Sequence, residues 1–162
     1  MGFIAPGNPR ISMAAQNKFS PVTTSGLSAG VDLVTCSDVA ASIEDHGERY
    51  LSRLFSTAER AHWPSADQVH ACAQSFAVKE AALKALNLAD QGIDWRDLEV
   101  RWQNGAVRGL ALHRRAAECV RDAGIQSWHV SCCMSGGMAL AWVCGERPKS
   151  PDSSRMPEIP KH

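Results

Sequence analysis

The chain holds 162 residues, 44% of them hydrophobic and only 6% aromatic, with 17 Lys+Arg balancing 17 Asp+Glu. A chain of this length buries roughly 70% of the surface it exposes when unfolded, which is enough for one core without disulfides or a structural metal and too little for two full domains. Zero formal net charge removes any global attraction to nucleic acid or an anionic membrane, so neither is expected as a partner.

Residues 1–26 mix Pro, Gly, Asn, Ser and Thr without periodicity and read as a flexible N-terminal arm. Their opening lacks the basic-then-apolar pattern of a secretory signal. Residues 27–145 form the expected folded domain, and 146–162, rich in Pro, Ser and charge, read as a disordered tail. No run approaches the roughly 18 apolar residues of a membrane span.

Within the domain, 29–34 is a β-branched run that reads as a buried strand with an acid, Asp32, in its middle. Ser37 or Asp38 is placed to cap a helix reaching Leu54, with Val39, Ile43, Leu51 and Leu54 on its apolar side. Ser56 or Thr57 opens a short helical stretch carrying Glu59, and 68–86 is a long Ala-rich helix without internal Gly or Pro. Two alternating runs, 98–102 and 107–112, flank Asn104-Gly105, the strongest short hairpin signal. A helix over 113–123 closes at Gly124, and 127–134 with 138–144 flank Ser135-Gly-Gly137 as a second hairpin. Strand, helices, hairpin, helix, hairpin is an α+β order: a mostly antiparallel sheet packed against a long helix.

The six cysteines contain no C-x-x-C pair, and four lie within apolar patterns, so a zinc site and a disulfide framework are both disfavoured and a reduced, cytoplasmic protein is expected. Cys132 and Cys133 are adjacent in a strand, so at most one thiol faces the side of His129, which disfavours a cysteine nucleophile.

Two acids stand in unexpected places. At 3.6 residues per turn, Glu80 falls beside Phe76 and Val69 on the flank of the long helix's apolar stripe, where an unpaired carboxylate is desolvated. Lys84, one turn on, offers the bland account of an i,i+4 surface pair. Asp32 sits between Val31 and Leu33 although aspartate is depleted from strands, and its bland account is a carboxylate bonded to backbone amides. Together the two acids can supply the hard oxygen ligands that Mg2+ takes from protein while water and phosphate fill its other positions, with nearby lysines as point charges for phosphate. No glycine-rich Walker loop is present, which excludes a nucleotide held that way.

Gly30-Val-Asp-Leu-Val34, Phe55-Ser-Thr-Ala-Glu59, Ser75-Phe-Ala-Val-Lys-Glu-Ala-Ala-Leu-Lys-Ala85, Ile93-Asp-Trp-Arg-Asp-Leu-Glu-Val100 and His129-Val-Ser131 together resemble the holo-acyl-carrier-protein synthases. These are the small type of 4'-phosphopantetheinyl transferase. The resemblance implies that fold, in one domain per chain, and transfer of the phosphopantetheine arm of coenzyme A to a serine of an apo acyl or peptidyl carrier protein, releasing adenosine 3',5'-bisphosphate. It implies Asp32 and Glu80 as magnesium ligands, Lys79 and Lys84 at the pyrophosphate, His129 near the coenzyme, and Glu80 and Lys84 in catalysis. It implies a homotrimer with sites at subunit interfaces, serving fatty-acid or polyketide biosynthesis. The alternative is a catalytically impaired, carrier-binding relative.

The sequence departs from the family pattern in places. Met134 stands where a second histidine is usual, and a thioether neither donates a hydrogen bond nor takes a proton. The first helix sets Asp38, Glu44, Asp45 and Glu48 against Arg49 and Arg53, a poor match for an acidic partner and a better one for a less acidic carrier. Ser75 replaces a frequent arginine, and Asn87-Leu-Ala-Asp90 a glycine-rich segment.

Overall fold

The computed structural model describes residues 26–148 except residue 66. The expected arm (1–26) and tail (146–162) therefore lie outside the described residues, apart from Gly26 and residues 146–148. In chain order the elements are β1 (Leu27–Thr35), α1 (Cys36–Leu54), α2 (Thr57–Arg60), α3 (Gln68–Ala85), a 3-10 turn (Trp95–Asp97), β2 (Leu98–Gln103), β3 (Ala106–Leu112), α4 (Arg114–Asp122), β4 (Ser127–Ser135) and β5 (Met138–Glu146). The α+β class is as expected.

Turn chemistry places the strands. Gln103 pairs with Ala106 across Asn104 and Gly105, and Ser135 with Met138 across Gly136 and Gly137. All four turn residues have positive φ, the geometry that matches the twist of a two-residue hairpin. β5 lies between β1 and β4 in an antiparallel sheet, while β2 and β3 form a separate ribbon.

The long helix α3 is the hub. Ala71, Cys72, Ala73, Ala77, Val78, Ala81, Ala82 and Ala85 are buried around its circumference; of the expected apolar stripe Cys72 and Leu86 are buried, whereas Val69, Phe76 and Leu83 are only half-buried. A helix covered on every side needs no single apolar face. Its small side chains let neighbours come close, and β1 comes closest at Gly30. A Cβ there would lie 2.2 Å from the Ala81 carbonyl oxygen and 2.6 Å from the Ala85 nitrogen. The alternation of β1 then turns Asp32 toward the same helix.

Helix ends follow their caps. Leu88 N–H bonds to Leu83 O across Asn87 (φ 53), and Ile125 N–H to Val120 O across Gly124 (φ 71), two 6→1 closures with a left-handed residue in the expected place. The helix begun by Ser56 is short, its hydroxyl accepting from Glu59 N–H. α1 differs from expectation at two points. It starts at Cys36, so Ser37 and Asp38 lie inside its first turn, and no side chain caps it; Cys36 N–H instead bonds to Gly137 O, anchoring the helix to the β4–β5 turn. It also kinks at Gly47 (φ 52, ψ -133), where an achiral residue lets its two halves bury Val39 and Leu51 with Leu54 separately.

One face of the β1–β5–β4 sheet covers α3. The other is open and apolar: Leu27, Val31, Leu33, Met138, Leu140 and Trp142 are exposed, with Val31 opposite Trp142 and Leu33 opposite Leu140.

Gly30→Ala should force β1 and α3 apart, at about 1–3 kcal/mol as for other overpacked cores. Gly109→Ala, where nothing lies within 4 Å of the added carbon, should leave stability unchanged; urea midpoints at constant slope check both.

Candidate active site

Asp32 on β1 meets Lys84 on α3. The Lys84 ammonium donates to Asp32 Oδ1 at 2.7 Å and to the Val31 carbonyl at 3.2 Å. Glu80, one turn earlier, is only 8% exposed. Burial pushes its carboxyl above the ordinary range, the negative charge of Asp32 pushes it the same way, and Lys84 pulls it back. The bland i,i+4 pairing of Glu80 with Lys84 is thus replaced by a pairing between two elements. Asp32 was expected at backbone amides on the plain reading, and its partner is an ammonium instead.

Two partly desolvated carboxylates from facing elements, sharing one lysine, are a hard-oxygen donor pair with excess negative charge. That chemistry fits a divalent cation such as Mg2+. Among the described residues no group of three or more His, Cys, Asp or Glu could hold a metal unaided, so the remaining ligands must come from water or substrate.

Lys79, expected at a pyrophosphate, has a side chain that is 0% exposed and donates to Glu59 Oε2 at 2.8 Å, Leu54 O at 2.7 Å and Trp95 O at 3.1 Å. It also lies 4.6 Å from the Phe55 ring centroid. Glu59, equally buried, accepts from Val100 N–H through its other oxygen. Burial raises the Glu59 carboxyl pKa and lowers that of Lys79, each opposed by its partner's charge. The pair ties α2, the end of α1, the 3-10 turn and β2 to α3, one residue from Glu80. Sequence reasoning names Glu59 in its short helix but gives it no role; its signal is an acid four residues after Phe55 in a helix of one turn.

His129 also lies apart from the carboxylates within one chain. It occupies the open sheet face, opposite Cys144, with Nε2 3.6 Å from Glu146 Oε1. Asp32 is turned to the face covered by α3. Met134, five residues on, has the opposite sidedness and packs against the core, where a thioether suits its surroundings. Ser75 is buried and accepts from the Trp102 indole N–H at 3.0 Å, which leaves no room for a charged arginine. On α1, Asp38, Glu44 and Asp45 are exposed, whereas Glu48 is held by a two-bond pair with Arg60 that lowers its pKa. Cys132 faces inward with its thiol pushed up to about 12 by burial, unsuited to act as a nucleophile.

With this geometry, the comparisons agree on a family. Residues 28–133 match the model of the 4'-phosphopantetheinyl transferase superfamily. A holo-[acyl-carrier-protein] synthase of Edwardsiella ictaluri is 38% identical over 122 residues, 74% of this chain and 97% of that one. One of Rhodopirellula baltica is 30% identical over 118 residues, 72% of this chain and 94% of that one. Among solved structures, the Chronobacterium ammoniagenes ACPS-CoA complex superposes with a TM-score of 0.65 at 24% identity, covering 77% of this chain and all (100%) of that one. The Mycobacterium tuberculosis acyl carrier protein synthase gives a TM-score of 0.57 at 29% identity, covering 76% of this chain and 100% of that one. The chain belongs to the 4'-phosphopantetheinyl transferase superfamily, in its small, holo-acyl-carrier-protein synthase type.

Lys79→Met or Glu59→Gln alone should cost about 3–5 kcal/mol, because each leaves its partner's charge or donors buried and unpaired. The double variant should recover part of that loss, and equilibrium urea unfolding of the three proteins gives the coupling.

Proposed function

We propose that this chain transfers the 4'-phosphopantetheine arm of coenzyme A to a serine of an apo acyl carrier protein, using Asp32, Glu80 and Lys84. The observation that carries the reading is the meeting of these three side chains across β1 and α3, in a chain that matches synthases over nearly their whole length. Asp32 and Glu80 would hold Mg2+, and its charge would stabilise the diphosphate oxygens as the phosphorus–oxygen bond breaks. Lys84 contributes a point charge to the same oxygens. The serine oxygen attacks the β-phosphorus, adenosine 3',5'-bisphosphate leaves, and the serine proton passes to Glu80 directly or through a water.

A homotrimer is supported by the open apolar sheet face, since contiguous exposed patches of this kind mark interaction sites. His129 shares that face, so it reaches coenzyme through a neighbouring copy. The acids on α1 favour a carrier with a less acidic docking surface. Six free cysteines fit a reducing, cytoplasmic setting.

Asp32→Ala and Glu80→Ala should each lower transfer at least about a hundredfold, the scale of losing one preorganised charge contact. Intact mass of apo carrier proteins incubated with coenzyme A and Mg2+ reads this. Glu80→Gln should at the same time unfold at slightly higher urea, because it removes a desolvated charge that Asp32 repels. Binding of coenzyme A by the wild type without transfer to any carrier would turn the reading to a carrier-binding relative. Trp142→Glu should shift sedimentation from trimer to monomer and lower transfer with it.

A further inference from the structure

Lys84 stands where a metal ion would compete with it. Its ammonium sits on Asp32 Oδ1, and its side chain is 48% exposed against 12% for Asp32. Beyond Asp32 its only bond among the described residues is the longer one to the Val31 carbonyl. It is also the cation that offsets the charge of Glu80. A lysine on a flexible stem with half its surface in water is a poor permanent ligand and a good temporary one. Charge balance says the same. Two carboxylates and one ammonium leave one negative charge; with a divalent cation the carboxylates are neutralised, and the ammonium becomes surplus beside the phosphates.

We propose that Lys84 is an exchangeable counter-ion: it occupies the cation position on Asp32 until a divalent cation binds, and is then released to the diphosphate of the incoming coenzyme. The inference rests on the reading of Asp32 and Glu80 as metal ligands. It assigns Lys84 two successive positions, and it makes metal and coenzyme help each other bind, because each removes a cost the other would face. Such linkage is reciprocal.

The full chain, wild type and Lys84→Gln, is titrated with Mn2+ alone, followed by paramagnetic resonance of the free ion, and then with coenzyme A at zero and saturating Mn2+. Without coenzyme, Lys84→Gln should bind Mn2+ at least about fivefold tighter than wild type, the low end of measured couplings, because the competitor is gone. Lys84→Arg, which keeps the charge, should stay near wild type. The factor by which Mn2+ tightens coenzyme A should shrink in Lys84→Gln. Equal or weaker Mn2+ binding by Lys84→Gln overturns the exchange while leaving the metal site standing. Failure of Asp32→Ala to weaken Mn2+, or absence of Mn2+ binding in every variant, overturns the metal site and the exchange together.

Discussion

The site depends on one missing carbon. β1 and α3 touch at Gly30, where any Cβ would lie inside the van der Waals radius of the helix backbone. Two residues further along the strand, Asp32 projects to the same side, and α3 places Glu80 and Lys84 one turn apart to receive it. The helix backbone at Ala81 and Ala85 meets Gly30, and the small side chains there serve the same approach. A larger residue at any of these positions would separate the carboxylates rather than simply crowd the core. The closeness of two backbones therefore sets the electrostatics of the site.

Lys79 and Lys84 show how strongly surroundings govern a charge on one helix. Five residues apart at 3.6 per turn, they point to different sides. Lys79 enters a dry region where only full satisfaction of its donors is tolerable, and it has Glu59 and two carbonyls. Lys84 stays half in water and keeps its freedom. The first fixes the helix against β2 and the 3-10 turn; the second stays at the surface, paired with Asp32. Because Glu59 and Lys79 hold α3 one residue away from Glu80, the buried pair supports the geometry of the exposed one.

Much of the fold was legible because its signals are local. Asn104-Gly105 and Gly136-Gly137 fix their hairpins through positive φ, and Gly124 ends its helix for the same reason. Asp32 and Glu80 stood out because an acid is costly in a strand or beside an apolar stripe, and the structure brings them together. What was not legible is decided by tertiary packing. Nothing between residues 36 and 54 announces that Gly47 breaks the helix, since glycine inside a helical pattern is more often only a local weakness. The signature containing Lys79 does not say which way its ammonium turns; that depends on Glu59, a residue 20 positions away. The missing N-cap at Thr35 is explained by Gly137, which is distant in the chain and adjacent in space.

The period of two along β4 and β1 sets His129 apart from the carboxylates within one chain. Odd-numbered residues of both strands, His129 among them with Val31 and Leu33, face outward, and even-numbered Asp32 faces α3. No rotamer carries the imidazole through the sheet to the carboxylates. If His129 meets the coenzyme, it does so from another copy, and the apolar residues around it provide the reason for that copy to be there. The same alternation that seals Asp32 against the helix thus leaves Trp142, Leu140 and Val31 exposed on the opposite face of the sheet, so the polar site and the apolar surface are two consequences of one strand periodicity.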